Sequence, residues 1–281
     1  EPVDDTYFHP GWTNYRKRLQ YQTYAVALHE GVNRLALTLA NGWYKGKLGF
    51  MPTPNHYGDT TAALAALCIT YADGREEWIG TDESWLCTTG EVQFSEIYDG
   101  ETQDFTAAPA ELQPARLFDY GFDTIIGQEN EPVRCLQRLP VVREFTTPKD
   151  EKVYDFGQNL TGWVEVEIYG DKGQKLTLRH AESMDENGNF YTENLSWAKA
   201  TDTYILGGGK QILHPHFTWH GFRYICVQGL AYGQNVQFTA CHLSTDLQQT
   251  GSFTCSDKRV NRLQQNIQWS QRDNFVDIPT D

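Results

Sequence analysis

Two short runs in this 281-residue sequence set acidic side chains where they could move protons. "SEIYDGE" places Glu96 three residues before Asp99, and "RHAE" places His180 two residues before Glu182. A positioned acid with a positioned base is the requirement for general acid–base work. The chain holds thirty-seven acidic residues, however, so close spacing selects neither pair. Polar groups satisfied at strand ends are the better reading of both.

Other residue groups invite a ligand. "DENGNF", residues 185–190, resembles the opening of a calcium loop, but an EF-hand wants its glycine at position six and a distant Glu. Here Gly188 is fourth from Asp185, so a glycine-containing hairpin turn is expected. Trp12, Trp43 and Tyr44 could offer flat apolar faces to a sugar ring, and Asn41-Gly42 reads as a turn that exposes Trp43. Core packing is the competing role, because aromatic side chains dominate sandwich interiors. Arg223 in "WHGFRY" is placed to pair with an acidic neighbour where two domains meet. None of the six cysteines forms a C-x-x-C pair, so no structural zinc site is expected, and no metal ligand is assigned. Cys68 and Cys226 sit inside apolar strand-like runs. They read first as free buried thiols in a reducing compartment, with disulfides as the alternative, and the cytoplasm is the expected location.

The elements that would position these residues are mostly strands. The chain is 40% hydrophobic and 13% aromatic, with 24 glycines and 11 prolines, a composition of cores, strands and turns. A formal net charge of -14 argues against nucleic acid, whose phosphates need a basic surface. No stretch approaches the ~20 apolar residues of a membrane-spanning helix. Short alternating runs over 18–28 and 33–44, then "ALAALCITYADG" with its Asp73-Gly74 turn, predict a first β-sandwich over residues 1–130. After a proline-containing arm the pattern restarts. In "WVEVEIYG", Val164, Val166 and Ile168 alternate with Glu165 and Glu167, as in a half-solvated antiparallel strand. A second sandwich is expected over 131–248. The remainder, 249–281, changes period: Val260, Leu263 and Ile267 form a helical stripe from about Asp257 to Asn274, with Ser256 as the expected N-cap. The fold class is therefore mostly β, two consecutive antiparallel sandwiches of jelly-roll type followed by one C-terminal helix.

Several of these stretches together resemble the bacterial α-L-rhamnosidases of glycoside hydrolase family 78. They are "PGWTNYRKRLQYQTYAV", "NGWYKGKLGF", "ESWLCTTGEVQFSEIYDGETQDF", "YDFGQNLTGWVEVEIYG", "RHAESMDENGNFYTENL", "ATDTYILGGG", "HFTWHGFRYICVQG" and "WSQRDNFVDIPTD". They span nearly the whole chain in order. The resemblance implies a concanavalin-like second sandwich and a catalytic (α/α) barrel after these β-domains. It also implies a reaction that removes terminal α-L-rhamnose with inversion and without an organic cofactor. In the family the run at Asp281 continues as Asp-Cys-Pro-Gln-Arg, with the general acid just beyond and the general base much later. The resemblance thus implies that no catalytic residue lies in this chain, that both ends are cut, and that Asp281 holds rhamnose hydroxyls in the intact enzyme. Trp43 and Trp12 remain candidate sugar contacts. The expected partners are a rhamnose-containing glycoside or oligosaccharide and the barrel of the same polypeptide. A rhamnose-binding module and a purely structural or assembly module are the alternatives.

Overall fold

A computed structural model describes residues 2–49 and 53–280. Its main feature is an eleven-stranded sheet. From one edge the strands run Thr6–Tyr7, Val133–Pro140, Val236–Thr245, Lys152–Gly170, His220–Gln228, Lys175–Ala181, Thr201–Ile205, Gly100–Asp104 and Val92–Glu96. Arg143–Thr146 and Gly209–Leu213 pair with the two halves of the long Lys152–Gly170 strand. Pairings along this path are antiparallel except that of Thr201–Ile205 with Gly100–Asp104. Residues on both sides of the expected boundary at 130/131 therefore share one sheet. Gly100 makes the parallel junction possible. Its φ is +111°, and a Cβ there would lie 2.0 Å from the Thr201 carbonyl oxygen.

The long strand shows why the sheet folds around this sequence. Val164, Val166 and Ile168 are buried on one face. On the other, Glu165 meets Arg138 at 2.8 Å and Glu167 meets Lys210 at 2.8 Å. The inward side chains join Leu176, Leu178, Tyr204, Leu213, Phe222, Ile225 and Phe238 in the largest core cluster. Two runs expected as separate strands, "KVYDFG" and "GWVEVEIYG", are one element, with the ladder interrupted between Asp155 and Leu160.

The first 130 residues are less regular. Ala66–Thr70 and Glu76–Gly80 form the expected hairpin around Gly74 (φ +83°). The alternating runs at 18–28 and 33–44 yield Leu19–Tyr21, paired with Ile125–Gly127, and a one-turn helix Gly42–Lys45. Residues 22–41 hold no strand. Alternation supplies a two-faced strand but not its neighbour. Along this stretch no ladder forms, and Val26, Leu28, Leu35, Leu37 and Leu39 stay exposed. Cys68, expected in a core, is also exposed, whereas Cys226 is buried; all six thiols are free.

The long helix spans Lys258–Asn274. Its N-cap is Asp257, one residue beyond the expected Ser256. The Asp257 carboxylate accepts the Arg259 N–H at 2.8 Å. The helix is fastened mainly at its far end. Thr161 Oγ1 donates to the Asp273 carbonyl at 2.7 Å, Ser244 Oγ donates to the Arg272 carbonyl at 2.8 Å, and Trp269 packs on the main core. Val260, Leu263 and Ile267 face outward, 40%, 56% and 52% exposed. The helix amphipathicity thus points its apolar stripe away from the sandwich.

Candidate functional site

The acidic pairs suggested by spacing separate in space into different roles. Glu96 is buried and accepts the Lys47 backbone N–H at 3.1 Å through both carboxylate oxygens. Asp99 is held by two cations, Lys47 Nζ at 2.7 Å and Lys199 Nζ at 3.3 Å. Burial raises the Glu96 pKa. It pushes Asp99 the same way, but the two lysines outweigh it and hold that carboxyl below its ordinary range. His180 turns away from Glu182 and faces Asp202. Glu182 stays near the surface, where it accepts from Asn159 at 3.0 Å and Asn194 at 3.4 Å.

"DENGNF" is the expected turn. Asp185 Oδ1 accepts the N–H groups of Asn187 and Asn189 at 2.9 and 2.7 Å, closing the hairpin that pairs Met184 with Phe190. Trp43 is 6% exposed and packed among Phe8, Trp12 and Trp219. It sits in the core rather than on an open turn, because Gly42–Lys45 coils into a helix that carries its ring inward. Trp12 is half-buried and stacks on Trp43 at 6.2 Å, its indole N–H donating to Tyr57 at 3.2 Å. Tyr44 borders the same cluster. Arg223 pairs with Asp155 within the sheet rather than between domains. Asp281 lies outside the described residues.

The structure assembles a cleft that spacing did not reveal. It measures about 430 Å³ and lies where the end of the long helix meets the 158–161 bend of the central strand. Gln158, Asn159, Glu182, Trp269, Asp273 and Thr280 contribute to its walls. One indole beside several amides and carboxylates suits a polyhydroxylated ligand, which offers apolar C–H faces and O–H donors. Each carboxylate is engaged by protein donors: Glu182 as above, and Asp273 by the Thr161 N–H at 3.2 Å. Such a cleft can hold and orient a ligand. The signal in the sequence was the polar interruption "FGQN" inside a buried strand, but its neighbours come from elsewhere in the chain, Glu182 23 positions beyond Asn159 and Asp273 112 positions beyond Thr161. A second assembly, buried and polar, joins His180, Asp202 and His220 in an arrangement that could hold a metal ion.

The chain is similar throughout to proteins of one kind. Residues 1–137 match the α-L-rhamnosidase N-terminal domain model. Residues 145–244 match the bacterial α-L-rhamnosidase concanavalin-like domain, and 248–281 match the bacterial α-L-rhamnosidase 6 hairpin glycosidase domain. An α-L-rhamnosidase of Streptomyces avermitilis is 39% identical over 97% of this chain and 28% of its own length. One from Formosa agariphila is 33% identical over the whole chain and 32% of its own length. Among solved structures, native α-L-rhamnosidase from Aspergillus terreus superposes with a TM-score of 0.90 at 35% identity, covering 99% of this chain and 34% of that one. The Streptomyces avermitilis α-L-rhamnosidase complexed with L-rhamnose superposes equally well, at 36% identity over 99% of this chain and 28% of that one. The chain spans about a third or less of the length of these relatives.

Proposed function

The chain belongs to the bacterial α-L-rhamnosidase family, and from that premise we propose that it serves as the β-sandwich and linker-helix part of an enzyme that removes terminal α-L-rhamnose from glycosides or oligosaccharides with inversion. The observation that carries this reading is the order of the three domain matches along the chain. Inversion needs two carboxyl groups on opposite faces of the sugar, roughly 6.5–9.5 Å apart, with a water between one of them and the anomeric carbon. The match of residues 248–281 to the 6 hairpin glycosidase domain supports assigning the reacting pair to a helical barrel of the same polypeptide. The long helix is suited to be the barrel's first member: anchored to the sandwich at Asp273 and Arg272, it turns its apolar stripe outward. The sandwich then fixes where the barrel begins, and Asp281 contacts the rhamnose hydroxyls.

The test is to express the protein encoded by the gene that contains this chain and follow an aryl α-L-rhamnoside by NMR. β-L-Rhamnose as the first-formed sugar supports the proposal. A folded protein that releases α-L-rhamnose first, or none, overturns it. The binding-module alternative is weakened by Trp43, whose ring has no open face.

A further inference from the structure

Three neighbouring strands each place a polar side chain where the alternation calls for an apolar one. Leu176 and Leu178 precede His180 on the inward face of one strand, Tyr204 follows Asp202 on the next, and Phe222 follows His220 on the third; all are buried. His180 is 0%, Asp202 1% and His220 4% exposed. The His180 and His220 rings stack at 4.2 Å, and the His180 ring packs edge-on against Phe222.

The polar bookkeeping of this cluster does not close. His180 Nδ1 lies 3.0 Å from the Ala200 carbonyl oxygen, so it carries the proton and donates. In the neutral ring Nε2 is then a bare lone pair. It has no hydrogen-bond partner and points toward an Asp202 carboxylate oxygen at 3.8 Å. Asp202 itself accepts the Glu101 N–H at 3.0 Å and faces His220 Nε2 at 3.2 Å. A lone pair opposed to a carboxylate in a dry interior is repulsive, and the His180 Nε2 acceptor is left without a donor.

We infer that His180, Asp202 and His220 form a buried binding site for a divalent first-row transition metal ion, of the class of zinc. The three ligand atoms lie within 4.8 Å of one another, and a cation among them turns both opposed acceptors into ligands. Two imidazoles with one carboxylate suit zinc and its first-row neighbours, whereas calcium and magnesium want all-oxygen shells. The His180–Ala200 hydrogen bond is the usual outer support that fixes a ligating imidazole's tautomer. His220 would ligate through Nε2 with its ring proton on Nδ1, the tautomer that a neutral ligating imidazole requires. With this burial there is no open approach, and loading accompanies folding.

The test uses the whole 281-residue chain, unfolded and refolded with excess Zn²⁺ or Co²⁺, then washed with a weak chelator to strip surface ions. About one ion per chain should be retained, and the Co²⁺ form should show the visible d–d bands of a low-coordinate N/O site. His180→Phe, refolded with circular dichroism matching the parent, should lose that ion. The proposal is overturned if refolded wild-type chain retains less than about a tenth of an ion, or if His180→Phe retains as much as wild type. A ¹⁵N spectrum of metal-free protein with His180 Nε2 protonated at pH 7 also overturns it, since the imidazolium would then satisfy Asp202 alone.

Discussion

Arg223 grips Asp155 across neighbouring strands through two parallel hydrogen bonds, Nε to Oδ1 at 2.8 Å and Nη2 to Oδ2 at 2.9 Å. Asp155 also accepts the Gly157 N–H at 2.7 Å. The pair sits where the long strand loses its ladder between Asp155 and Leu160. It therefore clamps the bend that delivers Gln158 and Asn159 to the cleft. Burial of Asp155 favours its neutral form, but the guanidinium fork and the Gly157 amide outweigh it and hold the pKa below the ordinary carboxylate range.

Arg223→Ala should leave Asp155 buried without its cation. Arg223 is 39% exposed, so the cost should be about 2 kcal/mol, less than for a fully buried pair. A depressed folded pKa contributes stability above the unfolded value of about 3.9 and loses it as pH falls through the folded one. The stability gap between wild type and variant, read by urea unfolding, should hold between about pH 5 and 8 and shrink below about pH 4. A gap that grows in acid would show that Arg223 acts through something other than the ionised Asp155.

Trp43 and Trp12 should respond differently to truncation. Trp43 is enclosed by aromatic rings, and Trp43→Ala should cost about 3–5 kcal/mol as a large core deletion. Trp12→Ala should cost roughly 1–2 kcal/mol, since its ring is half-buried and retains one hydrogen bond. Denaturant midpoints check the order. Any affinity for L-rhamnose in this region should follow Trp12; unchanged binding in a folded Trp12→Ala variant removes the stacking role from both rings.

Local periodicity made the long strand and the helix legible, because Val164, Val166 and Ile168, and Val260, Leu263 and Ile267, each declare their own period. The helix N-cap slipped by one residue because Ser256 and Asp257 are both competent caps, and only the Asp257 carboxylate reaches the Arg259 N–H. The 22–41 region failed for a different reason. A strand exists only with a hydrogen-bonding neighbour, and alternation says nothing about who that is. The cleft and the His180–Asp202–His220 cluster were illegible for the same cause. His180 and Asp202 are 22 positions apart, Asp273 and Thr161 112, and sheet order alone brings them together.

The long helix should be unevenly protected from hydrogen exchange. Its last turn is bonded to Thr161 and Ser244, while the stripe at Val260 and Leu263 meets solvent, and short helices without packing are marginal. Amides of the first two turns should exchange at least about ten times faster than those of Val164–Ile168. Equal protection would mean that the stripe is covered in solution, and sedimentation would then show whether a second copy covers it.

The final expectation concerns Asp281. The preceding residues are pinned: Thr280 donates its N–H to the Asn274 carbonyl at 2.8 Å and to Asn274 Oδ1 at 3.0 Å, and Thr280 lines the cleft. Phe275–Val276 pairs antiparallel with Ile278–Pro279 around Asp277 (φ +71°), a tight hairpin that returns the chain to the cleft wall, and Pro279 keeps Ile278 in extended backbone. A carboxylate carried on such a segment accepts sugar hydroxyls more strongly than a neutral amide does. The competing role is an N-cap for whatever follows, which Asn fulfils nearly as well as Asp. Asp281→Asn in the full-length protein separates the two. Loss of a charged hydrogen bond to substrate should lower kcat/KM by roughly 10–100-fold at an unchanged Tm. Near-normal kinetics would reduce Asp281 to a cap, and a lowered Tm with proportionate loss of activity would place its role in folding rather than in sugar binding.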